Sequence, residues 1–347
     1  MTKKERVLRA ITRRETDFIP FSMGFTQQAR DKAVRYFADE RFEDKINNHF
    51  AGAYYAGEPI MIKPGFFRDD FGVIWNRTGA DKDIGVIDKL TLPEPAIGSY
   101  RFPEPPAAML RKICGEALAS AGDCFTGAAL GFSLFERAWT LAGMENILMY
   151  MLTDPQFVHD LLDEITVFNI KLIRVYLEYD FDFINFGDDW GQQKGLIMGP
   201  NLWRAFIKPR LAQMYALVKE HGKFVFQHSC GDISEVLDDA IEIGLDVYET
   251  FQPEIYGLQE AKTRWGSRLS FFGGLSTQRL LPFETPENVI KKAAEIMRIM
   301  GKDGGYIAAP THSIPGDVPP ENIEALMELF HNQAKYGGFP CGIGTAH

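Results

Sequence analysis

The chain has 347 residues, 46% of them hydrophobic and 24% charged, the balance of a soluble globular protein with apolar content for a large core. A formal charge of -10 excludes a general nucleic-acid binder and leaves no basic patch for an anionic membrane. No apolar run approaches the length of a membrane span, and four scattered cysteines without a CxxC pair fit a reducing cytoplasm better than a disulfide framework.

Residues 2–14 alternate charged and apolar side chains at helical spacing instead of forming a secretory leader, so a cytoplasmic location is expected. Residues 19–25 read as a short strand with Pro20 near its start, and 27–38 as a helix. Residues 41–57 carry no clear pattern, and 59–62 read as a second strand. Residues 71–75 and 84–87 look like two strands joined by the polar turn 76–83, a hairpin-like insertion within 67–92. Proline-rich 93–106 is an extended connection to a helix over 106–121.

From there the pattern is regular. A strand at 124–130 precedes a helix at 134–151. Asp154 and Pro155 open a long helix whose Val158, Leu161, Leu162, Ile165, Phe168, Leu172 and Val175 share one face. A strand at 183–187, a helix at 200–220 and a strand beginning at Phe224 follow. Asp232 and Glu235 form a capping-box pair ahead of the next helix. Strands at 247–251, 269–272 and 306–309 then alternate with helices at 257–265, 286–300 and 320–336.

Strand and helix alternate throughout, and the later strands are short and continuously apolar, as strands buried on both faces are. Strand starts at Ile19, Pro59, Cys124, Phe183, Phe224, Val247, Leu269 and Tyr306 give about eight. The expected fold is α/β, a single (β/α)8 TIM-type barrel over residues 1–347 with the 67–92 insertion. A doubly wound sheet is the alternative, but no Gly-rich phosphate fingerprint follows any strand.

In a barrel, function gathers at the carboxyl ends of the strands. Asp188 and Asp189 end one strand, His228 and Cys230 the next, Glu249 the one after, and His312 follows the last. Two residues apart on a strand, His228 and Cys230 point to the same side, and an imidazole with a thiol is half of a zinc site. Each candidate has a plainer reading. The aspartates suit a helix cap, Glu249 a salt bridge, His312 a turn, and Glu136–Arg137 a structural ion pair. His49, His221, His331 and His347 read as solvent-facing, and Cys341 as incidental. Phe132, Trp190, Phe251 and Phe272 lie near strand ends and are candidates to line a pocket.

The stretch Phe226-Gln227-His228-Ser229-Cys230-Gly231-Asp232 resembles the uroporphyrinogen decarboxylase superfamily. So do Leu134-Phe135-Glu136-Arg137-Ala138-Trp139, Asp188-Asp189-Trp190-Gly191, Phe271-Phe272-Gly273-Gly274, and Gly304-Gly305-Tyr306-Ile307 through Pro319-Pro320-Glu321-Asn322. The resemblance covers nearly the whole chain, is strongest after Leu134 and implies a (β/α)8 barrel. It implies one of two chemistries. Decarboxylases of the superfamily match His312, but where they carry substrate-carboxylate arginines this chain reads Phe25-Thr26-Gln27-Gln28-Ala29-Arg30-Asp31, with one arginine. Asp70 falls loosely near their catalytic aspartate. The corrinoid-dependent methyltransferases bind zinc through a His-x-Cys pair, matched by His228 and Cys230, and a distant cysteine, replaced here by His312.

The methyltransferase branch therefore implies zinc on His228, Cys230 and His312, with Glu249 as a candidate fourth ligand, and a corrinoid carried on a separate protein. Asp188, Asp189 and Glu249 are the catalytic candidates, handling the proton of methyl exchange with a small donor or acceptor. The alternatives are a cofactor-free decarboxylase acting on a tetrapyrrole or a smaller acid, and a corrinoid- or partner-docking module with little chemistry of its own.

Overall fold

Short apolar segments whose side chains are covered on both faces become parallel strands. In the computed structural model, which describes residues 1–79 and 85–337, the strands run in this order. They are β1 (Phe50–Tyr54), β2 (Ile60–Lys63), β3 (Phe66–Arg68), β4 (Ile74–Asn76), β5 (Val86–Lys89), β6 (Phe125–Leu130) and β7 (Phe183–Gly187). There follow β8 (Gly191–Gln192), β9 (Gly195–Leu196), β10 (Phe224–His228), β11 (Val247–Phe251), β12 (Ser270–Leu275) and β13 (Tyr306–Pro310). The main sheet consists of β1, β6, β7, β10, β11, β12 and β13. Helices alternate with these strands, and the fold is α/β of the (β/α)8-barrel type. No helix among the described residues is long and apolar enough to cross a membrane.

The chain divides into two compact units, one of residues 1–51, 120–126 and 245–347, the other of 52–119 and 127–244. In the first, β11, β12 and β13 are parallel neighbours, with Phe271 opposite Tyr306 and Leu275 opposite Pro310. All five residues of β13 are buried. The segment expected as a strand at 19–25 makes only isolated parallel bridges, Phe21 to Ala308 and Phe25 to Ile314. Pro20 has no N–H to donate, so the pairing reduces to single rungs. Ala308 N donates to Pro20 O, Ser22 N to Ala308 O, and His49 N to Phe21 O.

The segment thus occupies a strand position between β13 and the start of β1 without becoming a regular strand. His49, expected at the surface, is buried against Phe21 with ring centroids 4.4 Å apart. Burial, with Arg6 and Lys3 nearby, holds its imidazole down at about 3, so it stays neutral and accepts from Arg6 Nη1 at 2.9 Å. His221 and His331 are exposed as expected; His347 and Cys341 lie outside the described residues.

In the second unit, β6, β7 and β10 are parallel and in register, Gly127 opposite Phe183 and His228 opposite Gly187. The strand expected at 59–62 is not part of this sheet. It is β2, an exposed strand of an antiparallel sheet β2-β3-β4-β5 that forms the insertion. The insertion is larger than the expected hairpin; its pairing sets Trp75 opposite Ile87, and residues 80–84, including Ile84 and half of the expected turn, lie outside the described residues. The main-sheet strand is instead β1, in the stretch without a pattern. Its Phe-Ala-Gly-Ala-Tyr sequence has small residues where the backbone must come close, and a Cβ on Gly52 would run into the Gly127 carbonyl.

The long helix Pro155–Tyr176 begins as expected, with Asp154 accepting from Phe157 N, and it buries all seven predicted face residues. Each such aliphatic side chain contributes about 1.5–3 kcal/mol. Two expected helices are interrupted. The one at 134–151 breaks at Gly143, where φ is 94°, into Phe135–Ala142 and Met144–Thr153. The one at 200–220 widens into a π turn at Trp203–Ile207, because Pro209 cannot donate to the carbonyl four residues back. The expected capping box does not form: Asp232 accepts from Ser234 N in a tight turn, and the helix starts later, at Leu237–Glu242.

Candidate functional site

His228 is the last residue of β10, and Cys230 lies two residues beyond in a turn built by glycine. Gly231 has φ 78° and lies against the backbone of Gly191 and Gln192, where a Cβ would collide. Asp232 N donates to Gln192 O at 2.8 Å, and Trp190 N to the Ser229 hydroxyl at 3.0 Å. These bonds tie the loop after β10 to the loop after β7.

The result is a close polar group. Cys230 Sγ lies 3.6 Å from His228 Nε2, and Asp189 Oδ1 lies 3.6 Å from the same nitrogen while accepting from Cys230 N at 2.7 Å. Two ligands of a tetrahedral zinc ion, a sulfur at about 2.3 Å and a nitrogen at about 2.05 Å, stand about 3.6 Å apart. The thiol and imidazole therefore have the separation of one edge of a zinc tetrahedron, and the donor types suit that metal. Burial pushes the Cys230 thiol up, opposed by the hydrogen bond to His228.

Asp188 and Asp189, adjacent in sequence, do different things. Asp188 is fully buried, and its oxygens accept from Leu134, Phe135 and Glu136 N at 3.2, 3.0 and 2.8 Å and from Trp190 Nε1 at 2.6 Å. It caps the helix Phe135–Ala142 from the end of a neighbouring strand. With every bond accepted from an N–H, it acts as a positioning group. Asp189 faces the His228–Cys230 pair.

Glu136 joins this group. The Asp189 backbone N–H bonds its carboxyl, and burial, with Asp189 and Asp188 nearby, pushes that carboxyl up to about 8. The expected Glu136–Arg137 ion pair is absent: Arg137 Nη1 instead bonds Asp69 Oδ2 at 2.9 Å. The successive residues point to different neighbours, so Glu136 is a half-buried acid that sequence reasoning assigned to structure.

Glu249 and His312 belong to the first unit. Glu249 is half-buried near the carboxyl end of β11, and His312 is exposed two residues past the end of β13. Next to it, Thr311 is held by Thr277, whose N and hydroxyl lie 3.1 and 3.0 Å from the Thr311 hydroxyl.

The second unit also contains a cavity of about 300 Å³ at the ends of β1 and β6. Tyr54, Tyr55, Trp75, Phe132 and Arg137 line it, together with Asp70, whose Oδ2 accepts from the Tyr55 hydroxyl at 2.7 Å. Of the four aromatic candidates, Phe132 reaches this cavity. Trp190 and Phe251 are buried in packing, and Phe272 packs on Phe50. Arg137 was read from the sequence only as half of a structural ion pair and Tyr54 was not marked, because their place in the cavity depends on where the insertion folds back.

Residues 126–333 match the family model described as uroporphyrinogen decarboxylase (URO-D). The chain belongs to the uroporphyrinogen decarboxylase family. Its relatives carry two kinds of name. A uroporphyrinogen decarboxylase of Coxiella burnetii is 27% identical over 186 residues, 51% of this chain and 48% of that protein. A methylated-thiol–coenzyme M methyltransferase of Methanosarcina mazei is 25% identical over 193 residues, 56% of this chain and 49% of the relative. The chain thus spans about half the length of these curated relatives. Among solved structures, a methyltransferase from Methanosarcina mazei superposes with a TM-score of 0.72 at 16% identity, covering 95% of this chain and 99% of that one. That likeness establishes the URO-D barrel fold.

Within the family, Arg30 stands alone where the decarboxylases were expected to carry several arginines. It lies at the surface of the helix Gln27–Phe37, with its Nε 2.7 Å from Glu43 and its Nη2 donating to the Glu40 carbonyl.

Proposed function

We propose that this protein is a zinc-assisted methyltransferase, exchanging a methyl group between a small substrate and a corrinoid on a separate protein. The observation that carries the reading is the His228–Cys230 pair at the end of β10, 3.6 Å apart. The proposed ligands are His228, Cys230 and His312, a chemically apt set of two imidazoles and a thiol, with Glu249 as the candidate fourth. A methyltransferase name among the relatives supports the same chemistry. When bound, zinc supplies Lewis acidity at the substrate heteroatom, and the corrinoid supplies the methyl-carrying centre.

The chain's own residues bind, orient and manage protons. Methyl leaves a heteroatom with the bonding pair staying behind, or joins it through the heteroatom's lone pair as a proton departs. Asp189, beside the pair, is placed to hold that proton, and Glu136, a protonated acid at neutral pH, to return one. Glu249 is proposed in the same role from the other unit. Asp188 orients the helix that carries Glu136.

A decarboxylase is the second reading, favoured by the relatives of that name. Against it stands Arg30, already engaged by Glu43, since a polycarboxylate substrate needs several such forks. Metal analysis with a methylcobalamin-to-thiol assay separates the two. The expected result is about one zinc per chain and methyl transfer, both lost in Cys230→Ala. Metal-free protein that is unaffected by chelators and decarboxylates a porphyrinogen would end the methyltransferase reading.

A further inference from the structure

We propose that the cavity of the second unit is a subsite for a planar aromatic carboxylate, the ring between its aromatic walls and the carboxylate on Arg137. At about 300 Å³ the cavity has the size of a small-molecule site. Its polar groups decide the charge of the ligand. Asp69 is saturated: Oδ1 accepts from Phe71 N and Val73 N, and Oδ2 from Trp75 Nε1 and Arg137 Nη1. Asp70 accepts from the Tyr55 hydroxyl and Glu58 N.

Arg137 is not saturated. Its Nη1 serves Asp69 and, at 3.5 Å, Thr140, while Nε and Nη2 have no hydrogen-bond partner among the described residues. The guanidinium carbon lies 4.1 Å from the Phe71 ring centroid and 5.4 Å from that of Phe132, so the fork is held in a defined plane. The hydroxyl of Tyr54, at the end of β1, also makes no hydrogen bond among the described residues. Trp75 and Phe132 stack at 5.8 Å along the wall.

Aromatic walls alone would also suit an organic cation. Here Asp69 is saturated and Asp70 already accepts a bond on each oxygen. A second guanidinium, Arg77, also lines the cavity, and the open Nε and Nη2 edge of Arg137 matches a carboxylate. The cavity wall at Leu130 and Gly131 lies beside Gly187, which pairs with His228. The two strand steps amount to about 10 Å, within reach of a single substituted ring. This site names the substrate class of the proposed methyl transfer, an aromatic acid bearing a methylated heteroatom. It rests on that reading only for what happens to the substituent.

Calorimetric titration with 4-methoxybenzoate tests it, with 4-methoxybenzyl alcohol and tetramethylammonium as controls. The acid is expected to bind wild type, with the neutral alcohol weaker by about tenfold. Arg137→Met is expected to lose about tenfold to a hundredfold in affinity, and Tyr54→Phe, at an exposed side chain, a smaller factor with the fold intact. Should Arg137→Met fail to fold, the alcohol and Tyr54→Phe still decide. No binding of the acid, equal binding of acid and alcohol, or a preference for tetramethylammonium overturns the subsite. Binding of the acid without methyl transfer from any donor removes the methyltransferase reading and leaves the subsite standing.

Discussion

Asp188 and Glu136 show how a carboxyl's surroundings decide its use. Asp188 has four N–H donors and no acceptor to receive a proton, so the bonds that hold it also hold it ionised, against the upward push of burial. Asp188→Ala leaves three helix N–H groups and an indole unsatisfied in a buried place, and is expected to cost about 2–4 kcal/mol in denaturant unfolding. A loss below about 1 kcal/mol would show that the cap is dispensable.

Glu136 has the opposite balance, and its sign can be followed in pH. Unfolded, it releases its proton near the ordinary 4.5; folded, it keeps it until about 8. Between those values the folded protein holds the extra proton, so this group's contribution to stability falls as pH rises. In metal-free protein, melting of wild type is expected to weaken more than that of Glu136→Gln between about pH 5 and about pH 8. Parallel curves would contradict the assignment.

Elements place these residues by backbone geometry as much as by side chains. The turn after β10 works because Gly231 takes a left-handed φ and lets the loop after β7 press on it. Gly231→Ala is expected to cost at least about 1–3 kcal/mol and to shift Cys230 from His228, which denaturant unfolding and metal content would both register. Unchanged stability with full metal binding would refute it.

The same geometry explains which elements were legible. β13 is a short continuously apolar run and the long helix has a plain period-3.6 apolar face, so both were readable. β1 was hidden because close backbone approach at Gly52 excludes a larger apolar residue, weakening the pattern that marks a strand. Conversely, Ile60–Lys63 has a strand's composition but pairs in the exposed antiparallel sheet, since composition does not choose a partner. The Asp232–Glu235 pair misled for a related reason: a capping box needs the helix to begin there, and the turn on Gln192 delays it.

For the whole molecule, alternation of strand and helix was enough to read an α/β barrel, and a structural relative at 16% identity keeps that fold with a TM-score of 0.72. Such tolerance is expected where burial pattern and connection length, rather than particular side chains, specify the architecture. That His228 and Cys230 share a strand end was also legible in the sequence, but their 3.6 Å contact is made by the Gly231 turn, since Cys230 lies beyond β10. Other decisions belonged to tertiary structure. Asp188 caps a helix more than fifty residues away in the chain, Arg137 turns from Glu136 to Asp69, and Tyr54 meets a cavity formed by an insertion. Periodicity is a property of neighbours along the chain, whereas the partner of a charge is set by which distant backbone the packing brings within about 3 Å.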